Sequence, residues 1–282
     1  MKYLLLDTNI FLDMVFSRTK SSPPETLLRL DNLLKWETIS LIVPEIVIVE
    51  TQRHIHNLIN EIPNNVNNIL KMLEESYWIN IEAELPKYKA VVKETSKSLK
   101  EYKLRMETNK ENYMKGLRVR VNRLFSKATI IKTDNDLVFN VAKRKLFKKC
   151  PLHTNKQSDQ DALIIETLLN IKNYIDIGPK DEIYFISRNY KDFSKSKAES
   201  DIFHDDIQND LSEAGLIGTI KYRNLLFKTL KDDFDVEHIT ASEIQEEYDA
   251  FLVAQGENYS YSNYDYHADL ADALDDEYNP ND

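Results

Sequence analysis

Apolar residues along this chain come in two spacings, and the switch between them is the first structural signal. Lys2-Tyr3-Leu4-Leu5-Leu6 is a short continuous apolar run that stops at Asp7-Thr8-Asn9, and Ile10-Phe11-Leu12-Asp13-Met14-Val15-Phe16 resumes at helical spacing. A run without polar alternation predicts a strand buried on both faces, as in a parallel sheet between helices. Ile39-Ser40-Leu41-Ile42-Val43 and Glu182-Ile183-Tyr184-Phe185-Ile186-Ser187 predict two more such strands. Helical patterns lie between them. After the Ser21-Ser22-Pro23-Pro24 break, Glu25-Thr26 opens a stripe of Leu27, Leu28, Leu30, Leu33, Leu34 and Trp36. Another helix starts at Pro44, a position that tolerates proline, and runs through Ile55. A strongly apolar helix spans Gln157 to Leu169. From about Asn64 to Phe147 the pattern is mostly helical, and about 85–149 reads as a helical insertion without a core of its own. A mixed helix and strand pair reaches about Phe234. The remainder, 235–282, is an acidic tail without clear periodicity from Tyr259 on, expected to be poorly ordered or to dock on a partner. The succession of elements predicts an α/β domain over 1–234: a doubly wound, mostly parallel sheet flanked by helices, with a basic helical insertion.

Several polar residues interrupt the apolar pattern where α/β proteins place their ligands. Asp7 would sit at the carboxyl end of the first strand. It either caps the following helix or belongs to a site, and the pattern alone leaves both open. Glu50 lies inside an apolar helical run, where the ordinary expectation is an exposed narrow polar stripe. Asp159 and Asp161 fall in the first turn of their helix, where Ser158 and Asp161 have capping-box spacing and acids favour the helix dipole. Ser187-Arg188-Asn189 and Asp192 follow the third strand. Carboxylates spread along a chain but gathered at comparable ends of α/β units suit a divalent-metal site, since Mg²⁺ takes hard oxygen ligands with waters and phosphate. Two such ions about 4 Å apart activate water and stabilise the leaving oxygen in phosphodiester hydrolysis. His54, four residues after Glu50, is on the same helix face, and it or His56 is otherwise an ordinary surface histidine.

Charge changes this picture more than composition does. The formal net charge of −10 hides an asymmetry: from Leu85 to Cys150 there are nineteen Lys/Arg against six Asp/Glu, a net +13, whereas Lys231 to Asp282 holds one Lys against sixteen acids, a net −15. The basic segment predicts a polyanion-binding surface, with Lys115, Arg118, Arg120 and Arg123 at its centre, and the acidic tail its competitor or a solubilising arm. Tyr88, Tyr102 and Tyr113 lie among its lysines, as stacking platforms for unpaired bases or as packing for their own helix. The 42% hydrophobic content and 282 residues suffice for one large core. Five glycines leave no Walker or dinucleotide loop, which excludes ATPases and nicotinamide enzymes. No apolar run is long enough to span a membrane or act as a signal peptide. Cys150 is the single cysteine, so an internal disulfide is excluded and a reducing cytoplasm is expected. Lys148 and Lys149 beside it would favour a thiolate, but with no partner motif an ordinary thiol is the expectation.

The motifs together resemble those of PIN-domain nucleases, in the larger bacterial PIN-like group. Leu5-Leu6-Asp7-Thr8-Asn9-Ile10-Phe11-Leu12-Asp13 is similar to that family's first motif, and Val43-Pro44 with Glu50 to its second. Asp161-Ala162-Leu163-Ile164 resembles the third, and Phe185 to Asn189 with Lys191-Asp192-Phe193 the fourth. The resemblance covers about 1–60 and 155–230. It implies a Mg²⁺- or Mn²⁺-dependent endoribonuclease, a toxin or defence effector, acting on single-stranded or structured RNA, with single-stranded DNA an alternative substrate. It assigns Asp7, Glu50 and Asp161 to metal ligation and catalysis. Thr8, Asn9, Asp159, Ser187, Asn189 and Asp192 take supporting places. The fourth motif departs from the family pattern, because Asn189 stands where an aspartate is usual; Asp192 or Asp159 is then the compensating charge. Two alternatives stay open. A PIN-fold scaffold that binds RNA or protein without cutting is favoured by Asn189. A haloacid-dehalogenase-type phosphatase would want an aspartate two residues after Asp7, where this chain has Asn9. Homo-oligomerisation, or a partner protein docking on the tail, is also compatible with the sequence.

Overall fold

Leu4, Leu5 and Leu6 are all fully buried, and because successive strand residues face opposite sides of a sheet, both faces here are covered. The computed structural model describes residues 1–16, 23–35, 39–75, 85–153, 158–234 and 236, the backbone alone for 23–28 and 85–86. The pattern at Ser21-Ser22, Trp36 and Gln157 and the acidic tail beyond 236 lie outside the described residues. Five strands form the sheet: β1 (Lys2–Leu6), β2 (Ser40–Pro44), β3 (Thr129–Ile131), β4 (Glu182–Ile186) and β5 (Ile220–Arg223). Their order is β3-β2-β1-β4-β5, and every pairing is parallel. In register, Leu5 stands between Ile42 of β2 and Phe185 of β4. The chain builds outward from β1 through β2 to β3, then returns to β4 on the other side of β1. That reversal is a switch point, and the crevice beyond the carboxyl ends of the strands beside it is where open α/β sheets bind ligands.

Nine α-helices are described around this sheet. Helix α1 (Thr8–Val15) follows β1 directly, and α2 (Pro23–Lys35) opens at Pro23, two residues ahead of the expected Glu25. Prolines fit there because the first turn has no intrahelical N–H bonds to lose. Helix α3 (Glu45–Glu74) starts immediately after the last residue of β2 and continues for 30 residues, through Pro63. Helix α4 (Leu85–Phe125) has 41 residues, about 60 Å of helix at 1.5 Å per residue. It runs antiparallel to α3: Gln52 bonds Asn122 at 2.9 Å near one end, and Glu74 meets Lys100 at 3.7 Å near the other. The first turns of α4 therefore extend past the end of α3. Then follow α5 (Asn135–Leu146), α6 (Asp159–Leu169), α7 (Tyr190–Phe193), α8 (Asp205–Glu213) and α9 (Leu226–Asp232).

The region 85–149 differs in one respect from the helical insertion expected of it. Thr129–Ile131 is the edge strand of the sheet, and Met114, Val121, Leu124 and Phe125 of α4 are buried. Phe125 packs edge-on against Phe11 of α1, centroids 5.0 Å apart. Only the outer part of α4 stands away from the core. A three-residue strand between two long helices leaves too little period-2 signal to be read from sequence.

Beside α5 a buried cation ties three helices together. Arg144 is 4% exposed and donates from Nε to Glu166 of α6, from Nη2 to Asp210 of α8, and from Nη1 to the Cys150 carbonyl, all at 2.6 Å. Lys149 adds a second contact to Asp210 at 2.6 Å. Removing one partner of such a network strands the others in low dielectric, which costs more than the network itself contributes. Arg144→Met should therefore destabilise the protein by about 3–5 kcal/mol in urea unfolding. The triple change Arg144→Met, Glu166→Gln, Asp210→Asn should recover most of that loss. A single variant as stable as the parent would show that water already reaches the two acids.

Candidate active site

Asp7 follows β1 without a break, and its backbone N–H bonds the Ile186 carbonyl of β4 at 3.0 Å, which fixes it at the switch point. Three donors converge on its carboxylate. The Thr8 backbone N–H donates to Oδ1 at 2.6 Å; Asn9 Nδ2 and Ser187 Oγ donate to Oδ2 at 2.7 and 2.6 Å. Ser187 is itself held by the Asn189 backbone N–H at 3.0 Å and lies within 3.4 Å of Asn9 Nδ2. Cap and site, the two readings left open for Asp7, are thus compatible: it caps α1 while its side chain is pinned between β1 and β4.

Glu50 is 9% exposed rather than on an outer stripe. Helix α1 packs against α3, so the second turn of α3 is turned inward, and Thr8 Oγ1 donates to Glu50 Oε2 at 2.9 Å. Arg53, one turn on, donates to Oε1 at 3.1 Å. The partner on the helix face is therefore this i+3 residue; His54 is half-buried beside it and His56 exposed. Asp161 comes from the first turn of α6, where Ser158 Oγ accepts its backbone N–H at 3.1 Å.

Electrostatics link these acids into one group. Burial pushes the Asp7 pKa up to about 6, against the lowering effect of its hydrogen bonds, and Glu50 and Asp192 push it the same way. The Asp161 pKa is driven up to about 8, first by burial and then by Asp7, with Asp192 and Glu50 adding to it. Among the described residues, the cation bonded to this group is Arg53, on Glu50. Asp192 is thus a fourth acid of the group. Asn189 donates from Nδ2 to its Oδ2 at 2.5 Å, so the neutral residue of the fourth motif steers a charged one. Asp159 stands apart, exposed and bonded by Lys145 at 2.9 and 3.0 Å. It does not serve as the compensating charge, because at two residues' spacing on a helix it cannot share a face with Asp161.

The donor set is all oxygen and carries excess negative charge, which fits a hard divalent ion such as Mg²⁺ or Mn²⁺. The acids do not close into one tight set of ligand atoms: among the described residues, the one group of three or more within 4.8 Å of one another is Cys150, His153 and His204. An open set of carboxylates suits an ion that keeps several waters.

Some supporting residues carry no motif signal. Tyr222 of β5 donates its hydroxyl to the Ser187 carbonyl at 3.1 Å and stacks in a buried ring cluster with Phe185 and Phe203. Arg188 bonds Asp13 at 2.5 Å, tying the end of β4 to α1. Asp13 closes the first motif and could have been suspected; Tyr222 could not.

The basic residues are placed less uniformly. Lys115 and Arg120 are exposed and Arg118 is half-buried. Arg123 is exposed but bonds the buried Asp31 at 2.7 Å, next to Lys127, so part of its charge is spent inside the protein. Arg144 and Lys149 are paired with buried acids as well, and Lys145 forms a surface pair with Asp159.

No curated protein and no solved structure matches this chain. The PIN domain family does match, over residues 4–193. The matched span includes Asp7, Glu50, Asp161 and Asp192, is all but complete over the first four strands, and takes in more than half of the sequence. This chain belongs to the PIN-domain family.

Proposed function

We propose that this protein is a Mg²⁺- or Mn²⁺-dependent endoribonuclease whose ion is held by Asp7, Glu50 and Asp161. PIN domains are usually nucleases dependent on these ions. The observation that carries the reading here is the crowding of Asp7, Glu50, Asp161 and Asp192: acids from separate elements meet at the switch point, and burial together with the neighbouring carboxylates raises the proton affinity of Asp7 and Asp161, while Arg53 bonds Glu50 at the edge. Such a cluster is costly unless a cation or protons enter it. A bound divalent ion would supply a water of lowered pKa and stabilise charge on phosphate oxygens.

The chain's own residues do the positioning. Ser187, Asn9 and the Thr8 N–H orient Asp7, Thr8 orients Glu50, and Asn189 steers Asp192. Each carboxylate is thereby aimed before substrate arrives, which spares reorganisation. The outer face of α4 would hold the RNA backbone through Lys115, Arg118 and Arg120. Tyr88 and Tyr102, 50% and 46% exposed, are available to stack on bases. The acidic tail beyond 236 would compete for the same surface. A second reading, a weakly active or inactive PIN-fold scaffold, is favoured by one feature: Asn189 offers no charge at the fourth motif and uses its amide on Asp192.

Two outcomes test this. Asp7→Asn should lower RNA cleavage about 100-fold or more, the scale on which loss of one electrostatic contact acts. Ser187→Ala, which touches Asp7 only through its hydroxyl, should cost about 10–100-fold in metal affinity. Cleavage of mixed RNA and single-stranded DNA, with and without Mn²⁺, checks both; activity unchanged in Asp7→Asn would remove it from the reaction, and no cleavage by the parent would favour the scaffold.

Metal-free stability should depend on pH in a defined direction. Asp7 and Asp161 have folded pKa values above the ordinary 3.8, about 6 and about 8. The folded state therefore holds protons that the unfolded state has released, and stability falls as pH rises from about 4 to about 8. Asp161→Asn should flatten this slope and raise apo stability at pH 7 by more than about 1.4 kcal/mol, the equivalent of one pKa unit. Thermal melts in chelator across that range read it directly.

RNA affinity should fall steeply with salt, and charge reversal at Lys115, Arg118 and Arg120 should reduce the slope by roughly one for each phosphate that is no longer neutralised. Reversal at Arg123 should cost stability as well, through Asp31. An affinity insensitive to salt would mean that α4 packs on protein instead.

A further inference from the structure

Beside the Asp192 backbone, three metal-ligand side chains meet that the acidic site does not use. Cys150 ends the turn after α5 and is fully buried. His153 is three residues on, and the buried Pro151 and Leu152 between them anchor the turn. His204 is the N-cap of α8, more than fifty residues away in sequence. The sulfur and one ring nitrogen from each histidine all lie within 4.8 Å of one another. The two imidazoles are 4.7 Å apart between centroids. A tetrahedral zinc with ordinary Zn–S and Zn–N bonds holds its ligand atoms roughly 3.3–3.6 Å apart. Small side-chain rotations close that gap.

A second feature points the same way. Asp206 accepts the Cys150 backbone N–H at 2.9 Å, and its own N–H bonds His204 Nδ1 at 3.2 Å. Its carboxylate also lies 3.7 Å from that nitrogen. One residue thus holds both the thiol turn and the imidazole; Nδ1 accepts as it stands, so ligation through Nε2 moves the ring proton to Nδ1, from which it would be donated to the Asp206 carboxylate. A carboxylate behind a ligating histidine is a common device for fixing ring orientation and raising basicity.

We propose that Cys150, His153 and His204 form a second metal site, distinct from the acidic cluster, that takes a zinc-class divalent ion. The donor chemistry selects the ion: one thiolate and two imidazoles prefer Zn²⁺ or Co²⁺ over Mg²⁺. The fourth position falls to water. Binding replaces the Cys150 S–H proton, which leaves to solvent, while both histidines bind in neutral form, so about one proton is released per ion. Without an ion the sulfur stays a thiol. It donates to the Asp192 carbonyl at 3.1 Å, and burial with Asp206 pushes its pKa far up despite the lysines next to it in sequence. The ion would clip the α5 turn to the start of α8, next to the segment that carries Asp192.

Because Cys150 is the only cysteine, a cobalt–thiolate charge-transfer band can come from nowhere else. Full-length protein without added histidines should take up one equivalent of Co²⁺ with that near-ultraviolet band. Zn²⁺ should abolish it and excess Mg²⁺ should not. C150S should lack the band, and H153A, altered at an exposed side chain, should bind Zn²⁺ at least tenfold more weakly. The double variant D7N/D161N should keep the band, which separates this site from the acidic one whatever the outcome of the cleavage assays. Should C150S fail to fold, H153A decides alone. Absence of the band in folded parent protein, or equal Zn²⁺ affinity in H153A and parent, would overturn the proposal.

Discussion

Like charge held together in a poorly solvated place is the constraint on which the rest of this molecule depends. Burial and the nearby Glu50 and Asp192 raise the proton affinity of Asp7 and Asp161 at the carboxyl end of a parallel sheet. Nothing about carboxylates brings them together; the burial of leucine, isoleucine and phenylalanine does. Strand ends and helix turns bring the acids to one place only because the sheet beneath is apolar on both faces and its order is fixed. The driving force for folding must exceed the repulsion, and a small set of hydrogen bonds to Asp7 offsets part of it.

That hydrogen-bond set shows how tightly the site is coupled to the fold. Ser187 reaches Asp7, Asn189 reaches Ser187, and Tyr222 reaches the Ser187 carbonyl from β5. A change in the ring cluster of Phe185, Phe203 and Tyr222 would therefore be felt at the carboxylate. Such linkage is how a rigid scaffold keeps reacting groups within a few tenths of an ångström of position. The long pair α3 and α4 works differently. Near the sheet it is core, with Phe125 against Phe11; farther out it is a solvated arm on which Lys97, Lys100 and Lys103 pair with Glu101, Glu74 and Glu107.

The neutral fourth motif has a physical account. Asn189 aims its amide at Asp192, so the negative charge is displaced by one turn. From that offset Asp192 still adds negative potential at Asp7 and Asp161.

What the chain determined by itself was local. Continuous apolar runs announced three buried strands, turn-end acids announced Asp7 and Asp161, and motif order pointed to the family. Those signals are legible because burial and capping act on neighbours in sequence. Long-range decisions were made only by the tertiary structure. Glu50 lies inward because α1 packs on α3, which no periodicity within α3 reveals. Thr129–Ile131 is a strand only because Ile42 to Pro44 stands beside it. Asp159 and Asp161, two residues apart on one helix, go to a surface ion pair and to the buried cluster, since a helix turns about 200° over that step. Cys150 and His204 meet only once α8 is docked, and a lone cysteine announces nothing of it.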